Sequence, residues 1–318
     1  MVADARILKD LSPLDGASYR SDDNAPKSRF LQGTREEVFR NLDLWVEQTS
    51  MVGAEHRVLV LIGAAGMGKS TIASEFCRRL SDQNRLGASF FFTRGTQLSS
   101  TRGFFNTIAY QLATLQPDRM HDAVVSAARK HLTKGGASQN MKDACEDLVR
   151  TPLNRDVSVL PFNAPIFIVV DALDECTAEE VDTIPEFLSL LLSCTQDTSS
   201  PLRILLTSRP ESEHVRNVLT SQSHLFVSVR HFRDMGDRRI IDRDIEAVIR
   251  DRLSTHPTTL AWSRKERKSI EQLVDASEGI FVYASTAVEF LRQGALSERL
   301  LNERLGHLLS PEIGRAHV

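Results

Sequence analysis

The sequence predicts an α/β fold: a doubly wound, parallel five-stranded sheet followed by a smaller all-helical domain. Three observations predict it. Five short apolar runs alternate with amphipathic stretches over the first 235 residues. Most of these runs are continuous rather than alternating, as strands buried on both faces are. The strand pattern then stops and only helical periodicity follows. Strands and helices in alternation build a parallel sheet with right-handed crossovers.

Taken in order, residues 12–29 are rich in Ser, Asp, Pro, Asn and Gly, and residues 1–29 read as a flexible N-terminal arm. Thr34 and Glu37 have the spacing of a capping box, ahead of Val38, Leu42, Trp45 and Val46 at helical spacing. Strands are expected at Val58–Ile62, Ala88–Phe92, Ile166–Val170, Ile204–Leu206 and Leu225–Val229. Helices are expected at Lys69–Leu80, at Phe104–Lys130 with a break at Pro117, at Met141–Arg150 and at Ala178–Leu192. Phe90, Phe91 and Phe92 lie inside a strand pattern without a basic stripe around them, so they read as core rather than as a platform for bases. Beyond residue 235, Asp244–Leu253, Ser263–Ala276, Ile280–Arg292 and Leu296–Leu309 read as helices, and the charge run Arg264–Lys268 as a solvated helix face. The domain reading is 1–29, 30–235, 236–311 and a tail at 312–318. That tail back-translates to a string resembling a sequencing adapter in frame, so it is expected to be non-native.

The chain of 318 residues is 41% apolar and 25% charged, ordinary values for a globular protein with a core. A formal charge of −3 gives no electrostatic footprint for nucleic acid, and no nucleic-acid partner is expected. The four cysteines form no C-x-x-C pair and are expected to be reduced thiols. Neither a secretory leader nor a run of roughly 18 apolar residues is visible, so no membrane partner is expected and the location reads as cytosolic or nuclear, with cytoplasmic taken as the expectation.

The chemistry begins at Gly63-Ala64-Ala65-Gly66-Met67-Gly68-Lys69-Ser70, a G-x-x-x-x-G-K-S pattern between an apolar strand and a helix. Such a loop curls its N–H groups toward phosphate oxygens, its lysine reaches the β- and γ-phosphates and its hydroxyl holds Mg²⁺. The helix N-terminus adds about half a positive charge. Lys69 and Ser70 take those roles here. Asp171 ends the apolar run Ile166–Val170, the position of a P-loop carboxylate that holds Mg²⁺. Asp174 and Glu175 follow; Asp174 is read as the base that orients the attacking water and Glu175 as its support. Position 172 is alanine, so the acid that many ATP motors carry beside the metal ligand is absent. Leu206-Thr207-Ser208-Arg209 delivers an arginine to the same strand end, where its fork can sense the γ-phosphate; a surface ion pair is the alternative reading.

On these residues the chain resembles the NACHT branch of the signal-transduction (STAND) P-loop NTPases, most of all the nucleotide-binding domain of fungal receptors of the NOD-like type. The resemblance rests on Gly63–Thr71, on Val170-Asp-Ala-Leu-Asp-Glu-Cys176 and on Leu206-Thr-Ser-Arg-Pro-Glu211, with Gly33-Thr34-Arg35, Leu86–Phe92 and Ala276–Ala284 in support. It spans roughly residues 15–309. It implies an ASCE-type sheet with the sensor strand between the phosphate-loop and acidic-motif strands. It also implies ADP at rest, ATP in the active state and slow hydrolysis, in an innate-immunity signal-transduction switch. By the same resemblance Thr71 joins the phosphate loop, and Thr34 and Arg35 lie near adenine or ribose, with simple helix capping as the alternative. Homo-oligomerisation on activation, a C-terminal repeat sensor and an N-terminal effector module are further implications. Gly279-Ile280-Phe281 departs from the Gly-x-Pro turn common in related proteins, and no winged-helix module follows. An AAA-type ATP motor and a nucleotide-binding scaffold without turnover are the competing readings. GTP stays open beside ATP, although no Asn-Lys-x-Asp base reader is present.

Overall fold

Val58–Ile62 (β1), Leu86–Phe91 (β2), Ile166–Asp171 (β3), Leu202–Ser208 (β4) and Val227–His231 (β5) pair in parallel in a computed structural model of the chain, in the order β2-β3-β4-β1-β5. The structure describes residues 2–24, 30–48, 56–135, 140–154, 165–176, 183–196, 202–212, 217, 227–294 and 297–310. The expected tail at 312–318 lies outside them.

β1 to β4 are buried at every residue, which is why they are apolar apart from Gly87, Ser89, Asp171, Arg203, Thr207 and Ser208. β5 is an edge strand and is half-buried to exposed, so it tolerates Arg230 and His231; the first two residues of the expected run Leu225–Val229 lie outside the described residues. β4 lies between β1 and β3, the order that the family resemblance implies. Its register sets Leu61 opposite Thr207, Ile62 opposite Ser208 and Val170 opposite Leu206, while Phe91 lies opposite Asp171. The carboxyl ends of four strands therefore finish side by side.

The chain divides into two compact units. The first holds residues 1–30, 42–63 and 69–231; the second holds residues 31–41, 64–68 and 232–318. In the first unit the helices are Val2–Asp10 (α1), Lys69–Asp82 (α3), Phe104–Leu115 (α4), Pro117–Thr133 (α5), Met141–Cys145 (α6), Thr151–Leu153 (α7) and Ile184–Ser193 (α8). The helix Glu36–Gln48 (α2) begins in the second unit and ends in the first. Pro117 opens α5, the break expected from its fixed φ and missing N–H. A π-turn, Glu146–Arg150, joins α6 to α7.

Both faces of the sheet are covered by aromatic packing. Phe90 on β2 and Phe92 just after it meet Phe104 on α4 at ring-centre distances of 4.9 and 6.3 Å, and Phe187 on α8 packs edge-on to Phe104 at 4.8 Å. Elsewhere in the unit Trp45 packs edge-on to Phe167 at 5.3 Å and Phe76 does so at 6.4 Å. The Phe90–Phe92 run is core, as expected.

The N-terminal segment differs from the flexible arm expected from its composition. α1 carries Leu8 into the core, where Leu11 and Ala17 join it. Ala17 O accepts from Phe91 N (3.0 Å), Tyr19 N donates to Ser89 Oγ (3.0 Å), and the Asn24 amide holds Gly16 O and Ser18 O. Residues 16–19 thus cover the outer edge of β2, an edge that would otherwise offer unpaired backbone groups. Composition missed this because the segment's order comes from the strand it covers.

The second unit packs Arg238–Ser254 (α9), Pro257–Lys265 (α10), Arg267–Ser277 (α11), Phe281–Arg292 (α12) and Glu298–Leu308 (α13) around Trp262, Ile245, Leu273, Val288 and Leu301. Trp262 is fully buried and satisfies its indole N–H on Asn302 Oδ1 at 2.8 Å. The expected helix Ser263–Ala276 is two helices, because the chain turns at Glu266, whose N–H closes on Trp262 O. Arg264, Lys265, Arg267 and Lys268 are exposed, the solvated face expected. All four cysteines are buried thiols. Among the described residues no helix is long and apolar enough to cross a membrane.

Phe187→Ala would empty the centre of the aromatic cluster. It is expected to cost about 3–5 kcal/mol of unfolding free energy, measured by urea denaturation; a cost under about 1 kcal/mol would mean that these rings are not close-packed.

Candidate functional site

Gly63 follows β1 directly, and its N–H donates to Ser208 O at 3.2 Å, fixing the start of the phosphate loop to the end of β4. α3 opens at Lys69. Gly66 and Gly68 have φ of +76° and +90°, backbone that a side chain disfavours. Gly66 has a second constraint: a Cβ there would lie 2.8 Å from Ile280 Cγ2 and 3.1 Å from Val282 Cβ.

Lys69 is buried, and its Nζ donates to Gly63 O at 2.6 Å. Burial pulls its ammonium below the ordinary lysine range; the carboxylates of Asp174 and Asp171 oppose that, Arg209 adds to it, and Glu211 opposes it weakly. Those charges come from the ends of β3 and β4 and the turns that follow. Lys69, Asp171, Asp174 and Arg209 are therefore one electrostatic cluster, as the sequence predicts.

Asp171 ends β3 fully buried and accepts at Oδ1 from Thr207 Oγ1 (2.6 Å), while Thr207 Oγ1 accepts from Ala172 N (2.9 Å). Ala172 is left-handed (φ +57°), and the single 3-10 turn Leu173–Glu175 follows. The turn folds Asp174 back toward β4. Its Oδ1 accepts from Arg209 N (2.9 Å) and its Oδ2 pairs with Arg209 Nε (2.9 Å), with the two side chains 9% and 42% exposed. Both sequence readings of Arg209 thus meet in one contact: it is at the expected strand end, and it is in an ion pair, with the candidate base. Glu175 has different company. Its Oε2 accepts from Arg94 N (3.0 Å) in the loop after β2. Ser70 and Thr71 lie half-buried in the first turn of α3.

The donor set suits Mg²⁺. A hydroxyl and a carboxylate are hard oxygen ligands, and magnesium is commonly held by one or two protein oxygens plus substrate phosphates. Among the described residues no cluster of three or more His, Cys, Asp or Glu side chains forms an all-protein cage for a metal.

Ala64 to Gly68 belong to the second unit, and so do Thr34 and Arg35. The Thr34–Glu37 capping box does not form. Thr34 Oγ1 donates to Leu31 O (2.7 Å), Arg35 is left-handed (φ +55°) and the helix starts at Glu36. Arg35 is buried, with its guanidinium on Met67 O and its backbone N–H on Asp244. Sequence reasoning missed the parts played by Thr207, Asp244 and Phe281. A hydroxyl opposite the strand-end acid was the available signal for Thr207; nothing local marked the other two.

A family model, Nephrocystin 3, N-terminal, matches residues 33–209, more than half of the chain. The chain belongs to the Nephrocystin 3, N-terminal family. The matched stretch opens at Gly33, takes in the phosphate loop and the acidic motif, and closes on Arg209. No curated protein matches the chain.

Thr207→Val would leave both Asp171 Oδ1 and the Ala172 N–H without the hydroxyl. A stability loss of about 1–3 kcal/mol is expected in chemical denaturation, with most of it restored by Thr207→Ser; equal losses in the two variants would show that the methyl packing, and not the hydroxyl, matters.

Proposed function

We propose that this protein is a nucleotide-dependent switch that binds ATP or ADP with Mg²⁺ and hydrolyses ATP slowly, as the NTPase module of a NACHT-type, NOD-like receptor in the cytoplasm. The observation that carries this reading is the gathering of Lys69, Asp171, Asp174 and Arg209 at one end of the sheet, beside the phosphate loop's first residue. Fungal origin, innate-immunity signalling, homo-oligomerisation and the flanking sensor and effector modules belong to the same proposal and rest on the family resemblance.

In this reading Lys69 and the loop N–H groups bind the β- and γ-phosphates, and Ser70 and Asp171 hold Mg²⁺, which when bound neutralises phosphate charge. Thr207 keeps Asp171 oriented. Asp174 holds Arg209 through Nε and the backbone N–H, and a γ-phosphate is a stronger, bidentate partner for a guanidinium. Its arrival would draw Arg209 away and free Asp174 to orient water. Sensing and base activation then become one exchange of partners. The nucleotide shifts the switch only by contacts that differ between its states, here those of Arg209. A base that starts each cycle paired also favours slow turnover. Alanine at position 172 weighs against the fast AAA-type motor.

Lys69→Ala is expected to weaken ADP and ATP binding roughly tenfold or more; unchanged calorimetric titrations would refute the cradle. Asp174→Asn is expected to slow single-turnover hydrolysis more than Glu175→Gln while sparing affinity, and the reverse order would transfer the role of base to Glu175. Arg209→Ala is expected to narrow the affinity gap between ATP and ADP. Steady-state turnover is expected near or below roughly one per minute, slow against the usual enzyme range; many per second would favour the motor, and none at all the scaffold.

A further inference from the structure

Two consecutive carbonyls of the phosphate loop are held by other parts of the second unit. Gly66 O accepts from Val282 N at 3.1 Å, in the first turn of α12. Met67 O accepts from Arg35 Nη2 at 2.7 Å. In a trans peptide the C=O and the following N–H point in opposite directions, and the chain has no cis peptide among its described residues. Fixing Gly66 O therefore fixes the Met67 N–H on the opposite side of the loop. Fixing Met67 O does the same for the Gly68 N–H. These are N–H groups of the kind that a phosphate-binding loop presents to its anion.

Arg35 carries two costs, burial and a left-handed backbone, to make its bond to the loop. Its guanidinium is inside the unit, with the residue only 6% exposed. Its backbone is left-handed without being glycine. Burial pushes its pKa down to about 10, which Asp244 opposes, so it stays charged near neutrality. Compensation comes from the Phe281 ring 4.2 Å beneath the guanidinium, from Phe232 at 5.6 Å, and from Asp244 Oδ2, which accepts the Arg35 backbone N–H at 2.8 Å and holds the strained turn. A lysine could donate to the same carbonyl but would lose the planar stacking on Phe281.

We propose that Arg35 is a positioning residue for phosphate binding: with the Val282 N–H it aims the Met67 and Gly68 N–H groups at the β-phosphate shared by nucleoside di- and triphosphates. It acts through the loop and touches no nucleotide itself. The inference rests on the nucleotide-binding reading above, and it differs from the part given to Arg209. Arg209 separates ATP from ADP; Arg35 sets the affinity for both equally.

The test uses the full chain with two readouts. Mg·ADP and Mg·ATP are titrated calorimetrically into the wild type, Arg35→Met, Arg35→Lys and Lys69→Ala. Arg35→Met, which keeps the apolar stem and removes the donors, is expected to weaken both nucleotides by the same factor, roughly tenfold. Arg35→Lys, the variant more certain to fold, is expected to recover part of that loss. Separately, amide hydrogen exchange over residues 64–70 is followed in nucleotide-free protein. It is expected to speed up in Arg35→Met, and less so in Arg35→Lys. Wild-type exchange in both variants overturns the positioning role without reference to any nucleotide. A lower melting temperature with unchanged nucleotide affinities overturns it as well, since a purely structural residue would behave that way. So does a changed ATP-to-ADP ratio. If Lys69→Ala binds nucleotide as the wild type does, the failure is that of the phosphate-cradle reading, and the claim about the β-phosphate falls with it.

Discussion

Insertion of β4 between β1 and β3 is the constraint on which the candidate site depends. A parallel strand fixes the height of its neighbours through evenly spaced hydrogen bonds, so the register of β4 decides which side chains finish level. Leu61 opposite Thr207 and Val170 opposite Leu206 bring the phosphate-loop strand, the acidic strand and the arginine strand to one edge. A shift of one residue would turn Thr207 to the other face and break its bond to Asp171. Of the two strands that flank β4, β1 leads into the loop that ends at Lys69 and β3 ends on Asp171, while β4 carries the Thr207 hydroxyl that holds Asp171 and is followed directly by Arg209, which pairs with Asp174.

Burial then determines how those charges behave. β1, β3 and β4 are buried to their last residues, so the groups at their ends keep little water and interact strongly. Lys69 loses hydration and regains interaction with Asp171 and Asp174. Asp174 is mostly covered while Arg209 is substantially exposed. That asymmetry matters: an exposed fork can be reached by an incoming anion, whereas a covered carboxylate must wait for the fork to leave. The direction of the exchange argued above follows from it.

Much of this was legible because burial and chemistry coincide in the sequence. The limits of β1 coincide with those of its apolar run, since every residue of the strand is buried and Arg57 and Gly63 bound the run. The phosphate loop, Asp171 and Arg209 were legible because their residue types are demanded at strand ends in that order. What could not be read depends on partners distant in sequence. Thr34 has the spacing of a cap, yet Asp244, over 200 positions later, takes the Arg35 N–H and starts the helix one turn position further on. The composition of residues 12–24 suggests a loose arm, yet the open edge of β2 orders it.

The two arginines show how one chemical group serves two ends according to its surroundings. Arg209 is held by a carboxylate through its Nε, and water reaches it. Such a contact is replaceable, and replaceability is what a sensor needs. Arg35 donates to a backbone carbonyl, lies against an aromatic ring and is shielded from solvent. An anion would have to strip away that ring packing and the loop's own carbonyl to compete for it, so this contact is not a replaceable one. Exchanging the two environments would defeat both: a buried arginine at the end of β4 could not be released, and an exposed one behind the loop would be drawn to the anion instead of holding the peptide groups that bind it.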